Sequence, residues 1–126
     1  KLLKKLAKAN PKLRINYFPI EKWIDKPDKK TIQAVKEGLA EVLCAIKRKP
    51  FMVVVDELVT AYALKVIGAD EIKNVIKTAK KANVNLIITG RGWPTKLNIE
   101  VDIVTNMKKV VHCYDKGKLA TKAIDW

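Results

Sequence analysis

Apolar positions along the chain follow two rhythms, one helical and one extended. Leu2, Leu3 and Leu6 fall on one face of a short helix, which Asn10 and Pro11 stop, because proline disfavours helical geometry in the residue before it. Residues 13–18 alternate apolar and polar and predict a short strand, and residues 19–27 read as a proline-bounded loop carrying Trp23. After Asp28, a natural N-cap, Ile32, Val35, Leu39, Val42, Leu43 and Ile46 recur at helical spacing until Pro50 and predict the longest helix. The apolar run 51–55 then has the pattern of a strand covered on both sides by helices, and Asp56 and Glu57 end it. A helix is expected from about Leu58 to Gly68. A second follows, capped by Asp70 and closed by Asn83, with Ile72, Val75, Ile76 and Ala79 facing inward. Residues 84–89 predict a second buried strand, after which Gly90, Arg91, Gly92, Trp93 and Pro94 form a loop. A short helical turn, a third strand over 102–107 and a terminal β-hairpin of 110–114 and 118–124 complete the pattern.

Strand, helix, strand, loop, strand is the order of an α/β fold with a mostly parallel sheet flanked by helices. The length of 126 residues predicts one α/β domain over 1–126 with a single core. In such sheets ligands sit beyond the carboxyl ends of the strands. The first two buried strands end in Asp56 and Glu57 and in Thr89, Gly90 and Arg91, so acidic and basic groups are expected at one edge.

Composition limits the setting more than the chemistry. With 48% hydrophobic and 31% charged residues the chain sits with soluble globular proteins. Its longest apolar run is far short of the roughly 20 residues of a membrane span, and no charged-then-apolar leader is visible at the start. The first residue is Lys1 rather than Met, so the domain is expected to be N-terminally incomplete. Cys44 and Cys113 stand far apart beside a single histidine, which suggests neither a zinc site nor a disulfide framework and fits a reducing cytoplasm.

The excess of 26 basic over 13 acidic residues, a net charge of +13, favours an anionic partner in principle. Its only arginines are Arg14, Arg48 and Arg91, however, and aromatics make up 6%, which leaves little for base readout or stacking. A solvated, lysine-rich surface is therefore preferred over a nucleic-acid interface.

Each candidate chemical group carries two readings. An apolar strand ending in Asp56 and Glu57 suits a magnesium ion, a hard dication that takes oxygen ligands, but Asp56 could equally cap the next helix. Gly90 and Gly92 would let the backbone approach a ligand while Arg91 clamps a phosphate, or they form an ordinary turn with a surface arginine. His112, beside Tyr114, Asp115 and Gly117, could donate to an anion or be structural. Trp23 is an unusual side chain for a polar loop unless it covers a ligand or caps the core.

Taken together, Val53-Val54-Val55-Asp56-Glu57-Leu58, Ile87-Ile88-Thr89-Gly90-Arg91-Gly92, Asp102-Ile103-Val104-Thr105 and His112-Cys113-Tyr114-Asp115-Lys116-Gly117 resemble, in order and spacing, the motifs of the P-loop-type cob(I)alamin (ATP:corrinoid) adenosyltransferases. The resemblance covers the chain well from Phe51 onward and more loosely before it. It implies a P-loop NTPase-like, RecA-type fold. It also implies transfer of the 5′-deoxyadenosyl group of ATP to cobalt(I) of a corrinoid, cobalamin or cobinamide, in cobalamin biosynthesis or salvage, with release of triphosphate. By the same resemblance Glu57 and Arg91 are the expected catalytic residues, and Glu57 supported by Asp56 holds Mg²⁺. Thr89, Gly90, Gly92 and His112 would contact ATP or corrinoid, with Trp23 under the corrin ring. A flavodoxin-like reductant and a homodimer are compatible with the family; a membrane partner is not expected.

The family's G-x-x-x-x-G-K-[ST] loop is not found within these residues, whose glycines are Gly38, Gly68, Gly90, Gly92 and Gly117. Trp93 and Asn106 also depart from the smaller residue and the acid usual at those places. The strand that leads into the phosphate loop would lie between 84–89 and 102–107, so a gap there or direct pairing of those two segments is expected. Two alternatives to the enzyme stand beside it: a catalytically silent P-loop-related binding module, and a basic nucleic-acid-binding domain.

Overall fold

A computed structural model of the protein describes residues 2–16 and 27–118 of the 126. Contacts gather the chain into two compact units, Phe18–Val104 and a pairing of Lys1–Tyr17 with Thr105–Trp126.

Helix α1 (Leu2–Ala9) belongs to the smaller unit, and the first described helix of the larger unit is α2 (Lys29–Lys47). Asp28 caps α2 as its sequence suggests, its carboxylate accepting from Thr31 N–H at 2.8 Å. Strand β1 (Met52–Val55), helices α3 (Leu58–Ala63) and α4 (Ala69–Ala82), and strand β2 (Asn85–Ile88) follow. The two strands run parallel, with Met52 opposite Asn85 and Val55 opposite Ile88. A parallel pair needs a long crossover, which α3 and α4 supply. The Asn85 side-chain amide donates to Phe51 C=O at 2.7 Å, which fixes the register at the entry end.

The core has two parts. Val55, Leu58, Ile67, Ala69, Ile72, Ile76 and Leu97 form one, packed by Val35, Leu39 and Val42 of α2. Ile46, Val75, Ala79 and Val84 form the other. The inward face expected of α4 is the face that is buried. Asn83 closes that helix in the left-handed region at φ 54°, a conformation asparagine tolerates better than most residues.

Several expectations change. The helix from Leu58 to Gly68 stops at Ala63, because Lys65 turns left-handed at φ 58° and Val66 N–H folds back onto Ala61 C=O at 3.0 Å. Gly68, not Asp70, is the N-cap of α4; Glu71 accepts from Gly68 N–H at 2.9 Å, and Asp70 lies in the first turn, where its charge favours the helix dipole. The sheet is not covered on both faces among the described residues. Val53, Val55, Leu86 and Ile88 face the helices, whereas Val54 and Ile87 on the other side are 58% and 44% exposed. The reason is that α2 and α4 pack against each other and onto the same face.

Residues 102–107 do not form the third strand. A strand has no internal hydrogen bonds and exists only by pairing, and among the described residues β2 is paired to β1 alone. Direct pairing of 84–89 with 102–107 is thereby excluded. The segment leading to 102 is held instead by α4: Lys73 bonds Glu100 at 2.6 Å and Lys80 lies 3.8 Å from Asp102.

In the smaller unit, α1 ends as expected at Asn10, whose side chain accepts from Lys12 N–H at 3.0 Å. Residues 13–16 continue without the predicted strand, and no strand partner for them exists among the described residues. The first arm of the expected C-terminal hairpin is replaced by a 3-10 turn at Cys113–Lys116, closed by Gly117 at φ 74°. The second arm lies outside the described residues beyond Lys118.

Candidate active site

At the carboxyl end of the sheet, β1 delivers Asp56 and Glu57 and β2 delivers Thr89, as the sequence places them. Thr89 N–H donates to Val55 C=O at 3.1 Å, extending the ladder one residue past the strands. Its hydroxyl donates to Asp56 Oδ1 at 2.5 Å and accepts from Glu57 N–H at 2.9 Å. A hydroxyl has one proton, so Thr89 can only accept from a further ligand.

Glu57 sits at φ 58°, ψ 20°, a left-handed conformation that costs a non-glycine residue about 1–3 kcal/mol and recurs at functional sites. The turn aims its carboxylate back over α3, where Oε2 accepts a short hydrogen bond from the Thr60 hydroxyl. Thr60 Oγ1 also accepts from Arg91 N–H at 3.2 Å. Each carboxylate therefore has one oxygen held by a threonine, and the other has no partner among the described residues. Both acids are exposed.

The glycine loop is pressed onto α3. A Cβ on Gly90 would lie 2.7 Å from Thr60 N and 2.8 Å from Val59 Cβ, and its φ of 138° is one that side chains rarely adopt. Only glycine fits there. Val59 N–H donates to Thr89 C=O at 3.1 Å, which seals the same contact. The Arg91 guanidinium is exposed and has no ion pair among the described residues. Trp93, the bulky departure after the glycine pair, packs against the first core cluster and donates through Nε1 to Asn98 at 2.8 Å. It is a wall of the domain.

The edge thus joins two exposed carboxylates, fixed by hydroxyls, to a close-packed glycine loop that carries a free guanidinium. Thr60 was missed in the sequence. Its only signal there is a hydroxyl three residues after Glu57, within reach across one helical turn.

The sequence model of one family, ATP:corrinoid adenosyltransferase BtuR/CobO/CobP, matches residues 1–126, the whole of the chain. The chain belongs to that family. It is a corrinoid adenosyltransferase, a transferase whose substrates are ATP and a corrinoid. No curated protein and no solved structure matches it. The family favours neither the silent module nor the nucleic-acid-binding domain.

Two further residues were expected to contact the substrates of the adenosyltransferase. His112 belongs to the smaller unit, where Nδ1 accepts from Tyr114 N–H at 3.1 Å. In the neutral ring that assigns the proton to Nε2, which is the nitrogen left to donate. Asp115 beside it is paired with Lys109 at 2.7 Å. Trp23 lies outside the described residues. No helix among the described residues is long and apolar enough to cross a membrane.

Ion pairing also shapes the flank of the larger unit. The hydrogen bond from Lys73, against partial burial, holds the Glu100 carboxyl below its ordinary value of 4.5, with smaller help from the charges of Lys73, Lys77 and Lys80. The same hydrogen bond raises Lys73 above 10.5.

Proposed function

We propose that this adenosyltransferase binds the triphosphate of ATP, with Mg²⁺, at the edge formed by Asp56, Glu57 and the Gly90-Arg91-Gly92 loop. One observation carries the reading: each of the two exposed acids has one oxygen held by a threonine hydroxyl and the other without a partner among the described residues. The donor set fits the ion. Magnesium takes hard oxygen ligands, commonly one or two carboxylates, and is completed by water and substrate phosphates. When bound, the ion would neutralise the negative charge that builds on the triphosphate as the bond from its oxygen to the 5′ carbon breaks.

The chain's own groups do the remaining work by position. Glu57 is the main oxygen donor and Asp56 supports it, while Thr89 fixes Asp56. Gly90 and Gly92 bring the backbone close to the nucleotide, and the Arg91 guanidinium takes a phosphate oxygen with its paired donors. Cobalt(I) of the corrinoid is the nucleophile, displacing triphosphate from the 5′ carbon of ATP, so no residue of this edge needs to gain or lose a proton. Catalysis is orientation and charge stabilisation. His112, through Nε2, and Trp23 are assigned to the corrinoid or nucleotide side, in a P-loop-like fold working in the cytoplasm with a separate reductant.

The test is Glu57→Gln in the full-length enzyme, assayed with pre-reduced corrinoid. Turnover is expected to fall by about tenfold to a hundredfold, with little change in corrinoid affinity, since the change removes charge from the metal side alone. Unchanged turnover and unchanged magnesium dependence would reject the assignment of Glu57.

A further inference from the structure

The two threonines of the edge are built alike, and only Thr89 lies in a motif by which the sequence resembles the family. Thr89 donates to Asp56 and accepts a backbone N–H from Glu57; Thr60 donates to Glu57 and accepts a backbone N–H from Arg91. The two hydroxyls thus form a chain across the edge, from Asp56 through Glu57 to Arg91. Thr60 is its last link and is half-buried in the first turn of α3. Its own N–H donates to Glu57 C=O at 3.1 Å and faces the Gly90 Cα closely enough to exclude a side chain. The hydroxyl therefore has no freedom to reorient. Its single proton goes to the carboxylate, and a lone pair takes the Arg91 amide.

We infer that Thr60 is a positioning residue of the adenosyl transfer, holding the Glu57 carboxylate and the start of the Arg91 side chain in one fixed relation. Glu57 occupies a left-handed turn with an exposed side chain, so its carboxylate would otherwise sample several rotamers. Arg91 stands between glycines at φ 138° and 77°, so its backbone would otherwise be the most pliable part of the edge. One hydroxyl restrains both. The inference rests on the reading of Glu57 and Arg91 given above, and its test separates the two.

Thr60→Val keeps the shape and removes the hydroxyl; Thr60→Ser restores it. In the ATP-free enzyme, amide hydrogen exchange at Arg91 should quicken in Thr60→Val and stay slow in Thr60→Ser. With substrates, Thr60→Val should lower kcat by about tenfold or more, the effect typical of groups that orient a metal's ligands. It should also raise the magnesium concentration for half-maximal rate and leave the corrinoid KM unchanged. Thr60→Ser should recover most of both. Wild-type kcat and magnesium dependence in Thr60→Val, or equal losses in Thr60→Val and Thr60→Ser, would overturn the inference. Run alongside, Glu57→Gln decides which level has failed. If it too is fully active, the reading of Glu57 falls; if it is impaired while Thr60→Val is not, only the role of Thr60 falls.

Discussion

Gly90→Ala tests whether the glycine loop is seated on α3 as described. The added methyl would lie 2.7 Å from Thr60 N, 2.8 Å from Val59 Cβ and 3.0 Å from Val59 N. Carbon contacts are comfortable at about 3.5–4.0 Å, so the loop or the helix must move by roughly 1 Å. Two of the three atoms are backbone and cannot swing aside. Overpacking of this kind costs about 1–3 kcal/mol. The φ of 138° adds strain of about 1–3 kcal/mol for a residue with a side chain. Alanine returns about 0.4–1 kcal/mol by restricting the unfolded chain. The net expectation is a loss of about 1–6 kcal/mol, centred near 3 and a large share of a typical domain's 5–15 kcal/mol. Gly92→Ala is the control in the same unit. Its φ is 77° and its new methyl would meet only the Ala63 Cβ at 3.2 Å, so a loss of about 1 kcal/mol is expected. Urea unfolding with linear extrapolation measures both, provided the slope is unchanged. A loss for Gly90→Ala equal to or smaller than that for Gly92→Ala would refute the packed loop.

Ile72 is fully buried at the meeting of α4 with β1 and the 3-10 turn Thr95–Glu100, so Ile72→Ala should cost about 2–5 kcal/mol in the same unfolding assay. The Lys73–Glu100 pair makes stability pH-dependent with a definite sign. The carboxyl of Glu100 is lowered in the folded protein, so its contribution is complete above the ordinary value of 4.5 and is lost as pH falls through the lower folded value. Unfolding free energy measured on acidification should therefore decline less steeply in Glu100→Gln than in the natural chain. Lys73, raised above 10.5, contributes fully below that value and loses its contribution only at higher pH, leaving the neutral range flat.

What the sequence determined was local or carried by order. The apolar run 51–55 and its terminal acids, the inward face of α4, the Asp28 cap and the Asn83 stop all follow from spacing and side-chain chemistry, and the structure places each there except that β1 starts at Met52. The order of the motifs carried the family, which the match over residues 1–126 shows. The tertiary structure decided what depends on distant partners. An apolar run looks the same whether one or both of its faces are covered, so the exposure of Val54 and Ile87 was invisible until α2 and α4 were seen on one side. Residues 102–107 have strand-like composition, but a strand is a relation between two segments, and among the described residues β2 pairs only with β1. At the site the sequence named both acids and the glycine loop. It could not show that Glu57 turns left-handed or that the Thr60 hydroxyl reaches Arg91, 31 residues away, because that contact exists only after β1 and β2 have paired.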